Sequence, residues 1–229
     1  MNEAIILAGG MGTRLKSVVP ELPKCMAPIN GKPFIGYVIQ HLKQQGIKKF
    51  IFSLGYKHEY FINFLQSNLS AESYSIITEV EPLGTGGAIQ LACSKVQSKN
   101  VLITNGDTLY KIDYQQLKQF HLNKNAVCSV CLKPMENFDR YGAVSLNKHD
   151  EIVAFHEKKF TKKGLINGGI YILNISQFLL NNFSKKFSFE KEYLEQNTNN
   201  GQLFGQIQNN YFIDIGIPED YMKAQIELS

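Results

Sequence analysis

The stretch Ile5-Ile6-Leu7-Ala8-Gly9-Gly10-Met11-Gly12-Thr13-Arg14-Leu15, followed nine residues after Leu15 by Lys24, decides how the chain is read. The short apolar run predicts a buried strand. The glycines after it let the backbone adopt positive φ and approach a ligand with no side chain in the way. Successive N–H groups in such a loop form an anion-binding concavity, and Arg14 adds a planar fork of donors matched to phosphate oxygens. No Lys-Ser or Lys-Thr follows the glycines, and G-x-G-x-x-G is absent, so neither common phosphate-loop or dinucleotide pattern applies.

Outward from this loop the chain alternates. Phe34, Tyr37, Val38, His41 and Leu42 fall at helical spacing, with Gly46 where a helix would stop. Residues 49–54 read as a second strand, 56–66 as a helix, 74–78 as a strand, 86–96 as a helix and 101–104 as a buried strand. Alternating strands and helices imply right-handed crossovers and a Rossmann-like α/β fold, a mostly parallel twisted sheet flanked by helices. Asp113 is placed to cap a helix carrying Leu117 and Phe120. Residues 127–132, 143–146, 152–155 and 170–173 then read as strands of a mixed sheet in an attached lobe, and Pro218 opens a final helix. There is no internal repeat or linker, so 1–229 is expected to be one domain.

Composition sets the outer bounds. A chain of 229 residues with 44% hydrophobic and 19% charged content suits one α/β core. No apolar run approaches the ~18 residues of a membrane helix, and Glu3 beside the first apolar run with no basic leader predicts a cytoplasmic protein with no membrane partner. A net charge of +4 without lysine runs interleaved with aromatics speaks against nucleic acid. Of the four cysteines, Cys128 and Cys131 have C-x-x-C spacing, but they fall on a predicted strand where residues three apart face opposite ways and no second ligand pair follows; buried or surface thiols are expected.

Parallel sheets bind ligands beyond the carboxyl ends of their strands. Asn105-Gly106-Asp107 follows one such strand. It reads either as a turn closing on its own backbone or as a carboxylate for Mg²⁺, which prefers oxygen ligands and takes few from the protein. Asp214, after Tyr211-Phe212-Ile213, is read equally as a helix cap or a second carboxylate. Glu157-Lys158 and Asn167-Gly168-Gly169 offer acceptors and donors for sugar hydroxyls and a cation for phosphate, and each also suits a solvated surface. Glu79 and Glu81 precede Leu83-Gly84-Thr85-Gly86-Gly87-Ala88. A carboxylate there matches the paired N–H donors of guanine, a mild pointer to GTP, with the backbone near Gly84 an alternative selector of the base.

Taken together, Leu-Ala-Gly-Gly-x-Gly-Thr-Arg-Leu, Pro23-Lys24, 83–88, 105–107, Glu157-Lys158, 167–169 and Asp214-x-Gly-x-Pro-Glu-Asp-Tyr resemble, in order and over essentially the whole chain, the sugar-1-phosphate nucleotidylyltransferases. The stretch Arg14 to Phe34 is most similar to the branch that moves a guanylyl group onto heptose 1-phosphate. The resemblance implies a GT-A-like nucleotidyltransferase fold. A nucleotide part spans about residues 1–110 and a sugar-phosphate part about 111–229. It implies nucleotide binding by Leu7, Ala8, Gly9, Gly10, Gly12, Thr13, Arg14, Lys24, Glu79, Gly84 and Thr85, with Arg14, Lys24 and Asp107 catalytic. Asp107 and Asp214 would hold Mg²⁺, and Gly142, Glu157, Lys158, Asn167 and Gly169 the sugar phosphate. The implied partners are a nucleoside triphosphate, by preference GTP, and a sugar 1-phosphate, with a homo-oligomer left open. The implied reaction is in-line attack of a sugar phosphate oxygen on the α-phosphorus with loss of pyrophosphate, leading to a nucleotide sugar for surface polysaccharide. Because that nucleophile is already ionised, His156 is not needed as a base. Uridylyl, thymidylyl, cytidylyl or mannose-1-phosphate guanylyl transfer, and a catalytically silent regulatory subunit, are the alternatives. Cys25 and Ile217 depart from the family pattern, where proline or another small apolar residue and threonine, respectively, are common, and Cys25 raises an expectation of sensitivity to thiol reagents.

Overall fold

A computed structural model describes residues 1–10, 12–55 and 57–228; the side chain of Thr13 is also outside the description. In chain order the elements are β1 (Glu3–Ala8), β2 (Pro28–Ile29), β3 (Lys32–Pro33), α1 (Phe34–Gln44), β4 (Lys49–Leu54), α2 (Glu59–Asn68), β5 (Tyr74–Thr78), α3 (Gly84–Cys93), β6 (Asn100–Asn105), β7 (Thr108–Tyr110), α4 (Tyr114–Asn123), β8 (Cys128–Phe138), β9 (Ala143–Leu146), β10 (Ile152–Phe155), β11 (Thr161–Asn174), α5 (Ile175–Phe178), β12 (Leu203–Ile207), β13 (Phe212–Asp214) and α6 (Pro218–Glu227). No described helix is long and apolar enough to cross a membrane.

The central sheet runs β10-β9-β11-β6-β1-β4-β5, with β8 paired to β11 and β12. Strands β6, β1, β4 and β5 are mutually parallel, whereas β11 runs antiparallel to β6, β8 and β9. The expected parallel part and mixed lobe are therefore one continuous sheet, joined where β11 bonds to β6. Side-chain alternation sorts the core onto two faces. Ala4, Ile6 and Ala8 face α1, α2, α4 and α6, while Ile5 faces the layer that holds α3 and α5. Cys131 and Cys128 fall on these opposite faces, which rules out their sharing a metal.

Several boundaries moved. The helix expected over 56–66 begins at Glu59 and runs to Asn68, Tyr56 lying outside the described residues. The helix expected over 86–96 begins at Gly84, because Gly86 and Gly87 fit closely under Phe187 and the Lys185 carbonyl and give that turn a tertiary support invisible to periodicity. The strand expected over 170–173 is the end of a 14-residue β11 whose polar first half pairs with β8. The short β2, β3 and β7, together with α5 and β12, had no clear periodic signal. Asp113 caps α4 as expected, its carboxylate accepting from the Gln116 N–H at 2.9 Å.

Two features of this topology position the site. The chain leaves β1 toward β4 and β5 and returns on the other side as β6, so the loops after β1 and β6 diverge and leave a crevice between them. In β11 the pairing with β8 breaks between Asn167 and Tyr171, and Gly169 there adopts φ +71°, which turns 167–169 out of the ladder.

Candidate active site

Asp107 and Asp214 come from segments more than one hundred residues apart and are joined by a small second sheet. Strand β13 pairs antiparallel with β7, setting Asp214 opposite Thr108, and the Ile215 N–H donates to the Asp107 carbonyl at 3.1 Å. Lys24 reaches into this junction from the turn after Pro23. Its Nζ lies 2.6 Å from Asp107 Oδ2 and 3.6 Å from Asp214 Oδ1. Gly12, at φ +56°, sits where a Cβ would be 2.8 Å from the Lys24 Cβ, so the glycine loop closes directly over the lysine stem.

Burial sets the electrostatics. It raises the pKa of Asp214 above the ordinary carboxylate value, and the neighbouring Asp107 charge adds to the rise. Burial works against the Lys24 ammonium too, but the two carboxylates outweigh it and hold its pKa above the ordinary lysine value. Asp214 Oδ1 is buried with no hydrogen bond of good geometry, while the Lys24 ammonium at 3.6 Å and the Gly216 N–H lower the pKa of this carboxylate against burial. An under-satisfied carboxylate oxygen next to a second carboxylate fits a hard divalent cation with oxygen ligands. No group of three or more His, Cys, Asp or Glu with metal-holding geometry is found among the described residues.

Two cavities meet here. The smaller, about 200 Å³, is lined by Leu7, Ala8, Gly10, Gly12, Arg14, Lys24, Cys25, Asp107 and Gly216. The larger, about 300 Å³, is lined among others by Arg14, Asn105, Arg140, Tyr141, Gly142, Lys158, Asn167, Gly169, Glu190 and Asp214. Arg14 and Gly216 belong to both, and the two carboxylates fall one on each side. The larger cavity carries cations at Arg14, Arg140 and Lys158, and amides at Asn105 and Asn167. The Asn167 side chain is locked by donating to the Tyr171 hydroxyl at 2.9 Å and accepting from the Gly169 N–H at 2.9 Å.

The remaining expected residues are placed as follows. Gly9 packs against Glu79, whose Oε2 accepts from the Leu83 N–H at 3.0 Å, so Glu79 joins the glycine loop to the start of α3. Glu81 is exposed and paired with Lys185 at 2.6 Å. Gly84 and Thr85 line neither cavity. Gly84, at φ +73°, abuts the Phe187 carbonyl, and Thr85 donates to Glu190 Oε2 at 2.5 Å. Glu157 is exposed and lines neither cavity, while Lys158 beside it lines the larger one. His156 is exposed with Nε2 2.7 Å from Ser145 Oγ and lines neither cavity. Sequence reasoning passed over Arg140, Asn105, Tyr171 and Glu190 as cavity residues. Arg140 lies two residues before Gly142, which the resemblance had placed in the sugar-phosphate site, so that proximity was its one available signal.

Against this geometry the comparisons are specific. The sequence profile of the nucleotidyl transferases matches residues 3–229. The chain belongs to the nucleotidyl transferase family. It is 47% identical over 226 residues to a D-glycero-alpha-D-manno-heptose 1-phosphate guanylyltransferase of Aneurinibacillus thermoaerophilus, an overlap covering 99% of this chain and 98% of that one. It is 45% identical over 221 residues to the protein of the same name from Campylobacter jejuni, covering 96% of each. Among solved structures, HddC from Yersinia pseudotuberculosis complexed with GMP-PN superposes with a TM-score of 0.89 at 37% identity, covering 100% of both chains. This nucleotidyl transferase thus shares its α/β architecture with a protein solved in complex with GMP-PN.

Proposed function

We propose that this protein transfers the guanylyl group of GTP to the phosphate of D-glycero-alpha-D-manno-heptose 1-phosphate, releasing pyrophosphate and forming the corresponding GDP-sugar. The observation that carries the reading is the meeting of Asp107, Asp214 and Lys24 on the border between the two cavities. The high identity to guanylyltransferases named for that heptose supports the choice of base and sugar. In this reading residues up to about 110 serve the nucleotide and those from about 111 the sugar phosphate.

Residue roles follow from charge and position. Backbone groups of Gly9, Gly10, Gly12 and Thr13 cradle the triphosphate, with Leu7 and Ala8 as the apolar floor under it. Arg14, placed in both cavities, faces the leaving pyrophosphate and the incoming phosphate alike. Lys24 balances the charge that accumulates at the α-phosphate. Glu79 holds the loop entering α3 and is the carboxylate nearest the glycine loop for recognition of guanine. Asp107 and Asp214 would hold Mg²⁺, which when bound would draw charge from the phosphate oxygens and lower the repulsion between two anions. Asn167, Gly169 and Gly142 shape the sugar wall, and Lys158 meets its phosphate, with Glu157 entering only by moving from its exposed position. Because the attacking phosphate oxygen is already ionised, orientation and charge neutralisation do the work and no side chain removes a proton.

The test is initial-rate pyrophosphate release with GTP, ATP, UTP, CTP and dTTP, each against the heptose 1-phosphate and mannose 1-phosphate. GTP with the heptose phosphate is expected to give the highest kcat/KM. A preference for another triphosphate, or for mannose 1-phosphate, would overturn the assignment.

A further inference from the structure

The larger cavity has a cation that none of the roles above uses. Arg140 stands where β8 gives way to β9, and its Nη2 lies 2.5 Å from Asp220 Oδ2 in the first turn of α6. Asp220 follows Asp214 by six residues on the same segment, through Gly216 and Ile217, which also line the cavity. The guanidinium carbon sits 5.6 Å from the centre of the Tyr141 ring, so ring and carboxylate together fix the plane of the fork. Arg140 remains 40% exposed on its side chain while Asp220 is 21% exposed. The carboxylate is the anchored partner, and the guanidinium is the one that reaches open space.

We infer that Arg140 binds the phosphate of the sugar 1-phosphate and that Asp220 is a positioning residue which orients its fork. The inference rests on the sugar 1-phosphate reading above and deepens it. The chemistry asks for such a residue. A sugar 1-phosphate arrives as a dianion beside a triphosphate, and Lys158 alone is an exposed point charge on a flexible stem. A guanidinium has five donors in a fixed plane, so Asp220 can take one edge while the others stay free for phosphate oxygens. Arg14 and Arg140 line the same cavity, so the two phosphates that must react lie between two forks. Segment 214–220, from the end of β13 into the first turn of α6, carries Asp214 at one end and the anchor of Arg140 at the other, which ties the carboxylate pair to the sugar-phosphate wall through seven residues.

The experiment compares wild type, Arg140→Ala, Arg140→Lys, Asp220→Asn and Asp220→Glu by pyrophosphate release and by calorimetric titration with heptose 1-phosphate, mannose 1-phosphate and GTP. Losing a charge-assisted contact to phosphate predicts at least a ~10-fold higher KM and Kd for the sugar 1-phosphate in Arg140→Ala, with GTP binding unchanged within about twofold. Arg140→Lys recovers part of the loss. Asp220→Asn raises the same KM by a smaller factor and Asp220→Glu restores it. An unchanged sugar-phosphate KM in Arg140→Ala, or equal weakening of GTP and sugar phosphate, overturns the proposal. Should Arg140→Ala fail to fold, Arg140→Lys carries the test by the same ratio. A wild type that binds a sugar 1-phosphate without turning it over counts against the proposed reaction and leaves the Arg140 comparison to the titration. A wild type that binds neither sugar phosphate overturns both.

Discussion

The ammonium of Lys24 lies 2.6 Å from the carboxylate of Asp107, in the place where a cation between two acids is needed. With Asp214 Oδ1 at 3.6 Å on its other side, Lys24 offsets part of the rise that burial and the Asp107 charge give the Asp214 pKa. Lys24→Met is therefore expected to cost about 10²-fold or more in turnover, the scale seen when one preorganised charge-stabilising group is lost. It is also expected to lower the melting temperature measured in chelator and to enlarge the rise produced by Mg²⁺, since two unshielded carboxylates then face the ion. Asp107→Asn should lose most of that rise. A Mg²⁺ response in Asp107→Asn equal to that of wild type would remove the carboxylate from the metal role.

Gly142 has no room for a side chain. A Cβ there would lie 2.4 Å from the backbone carbonyl of His156, so one of two chain segments bordering the larger cavity must move. Gly142→Ala is expected to cost about 1–3 kcal/mol of stability, as overpacking does. The KM for the sugar phosphate should rise while that for GTP stays put, because the shift is confined to the sugar wall. Urea unfolding and substrate-varied kinetics read the two effects separately.

Thiol chemistry should be silent. All four cysteines are buried. Burial pushes the thiols of Cys25 and Cys128 well above the ordinary range and those of Cys93 and Cys131 up to about 12. The nearby Asp107 charge also raises Cys25. The sensitivity that Cys25 suggested in the sequence is thus not supported by its surroundings. A chromogenic disulfide reagent is expected to titrate no thiol in the folded protein and four after denaturation, with activity retained throughout. Rapid loss of activity on modification of Cys25 would show that the loop opens.

His121 sets a pH dependence of stability. It is buried between α4 and β8 with Nδ1 2.9 Å from the buried Ser129 hydroxyl, and burial pushes its pKa down to about 4. Between pH 4 and the unfolded value near 6.5 the unfolded chain binds a proton that the folded chain does not, so stability falls as pH falls through that window. The contribution from this group is roughly 2 kcal/mol lost between pH 7 and 5. Chemical denaturation at the two pH values should show the loss in wild type and a smaller one in His121→Gln. Equal losses would remove His121 from the acid sensitivity, since a carboxylate such as Glu3, whose pKa is held below its ordinary value, loses its contribution only at lower pH.

Local chemistry was legible without coordinates. Apolar runs marked β1, β4 and β6 because a strand buried on both faces must be largely apolar, and the periods of α1 and α4 followed from one buried stripe each. The glycine loop, the Asp113 cap and the opposed faces of Cys128 and Cys131 depend only on backbone geometry within a few residues. What periodicity cannot carry is pairing between distant segments. Only the β7–β13 register brings Asp214 beside Asp107, only the break in β11 turns Asn167 into the cavity, and only the docking of α6 onto the β8–β9 corner gives Arg140 its partner. For the same reason a Glu-Lys dipeptide could not reveal that Lys158 lines the cavity while Glu157 stays in solvent. Sequence determined which residue types were available and on which elements. Long-range strand pairing, whose free energy comes from contacts between residues far apart in the chain, decided which of them meet.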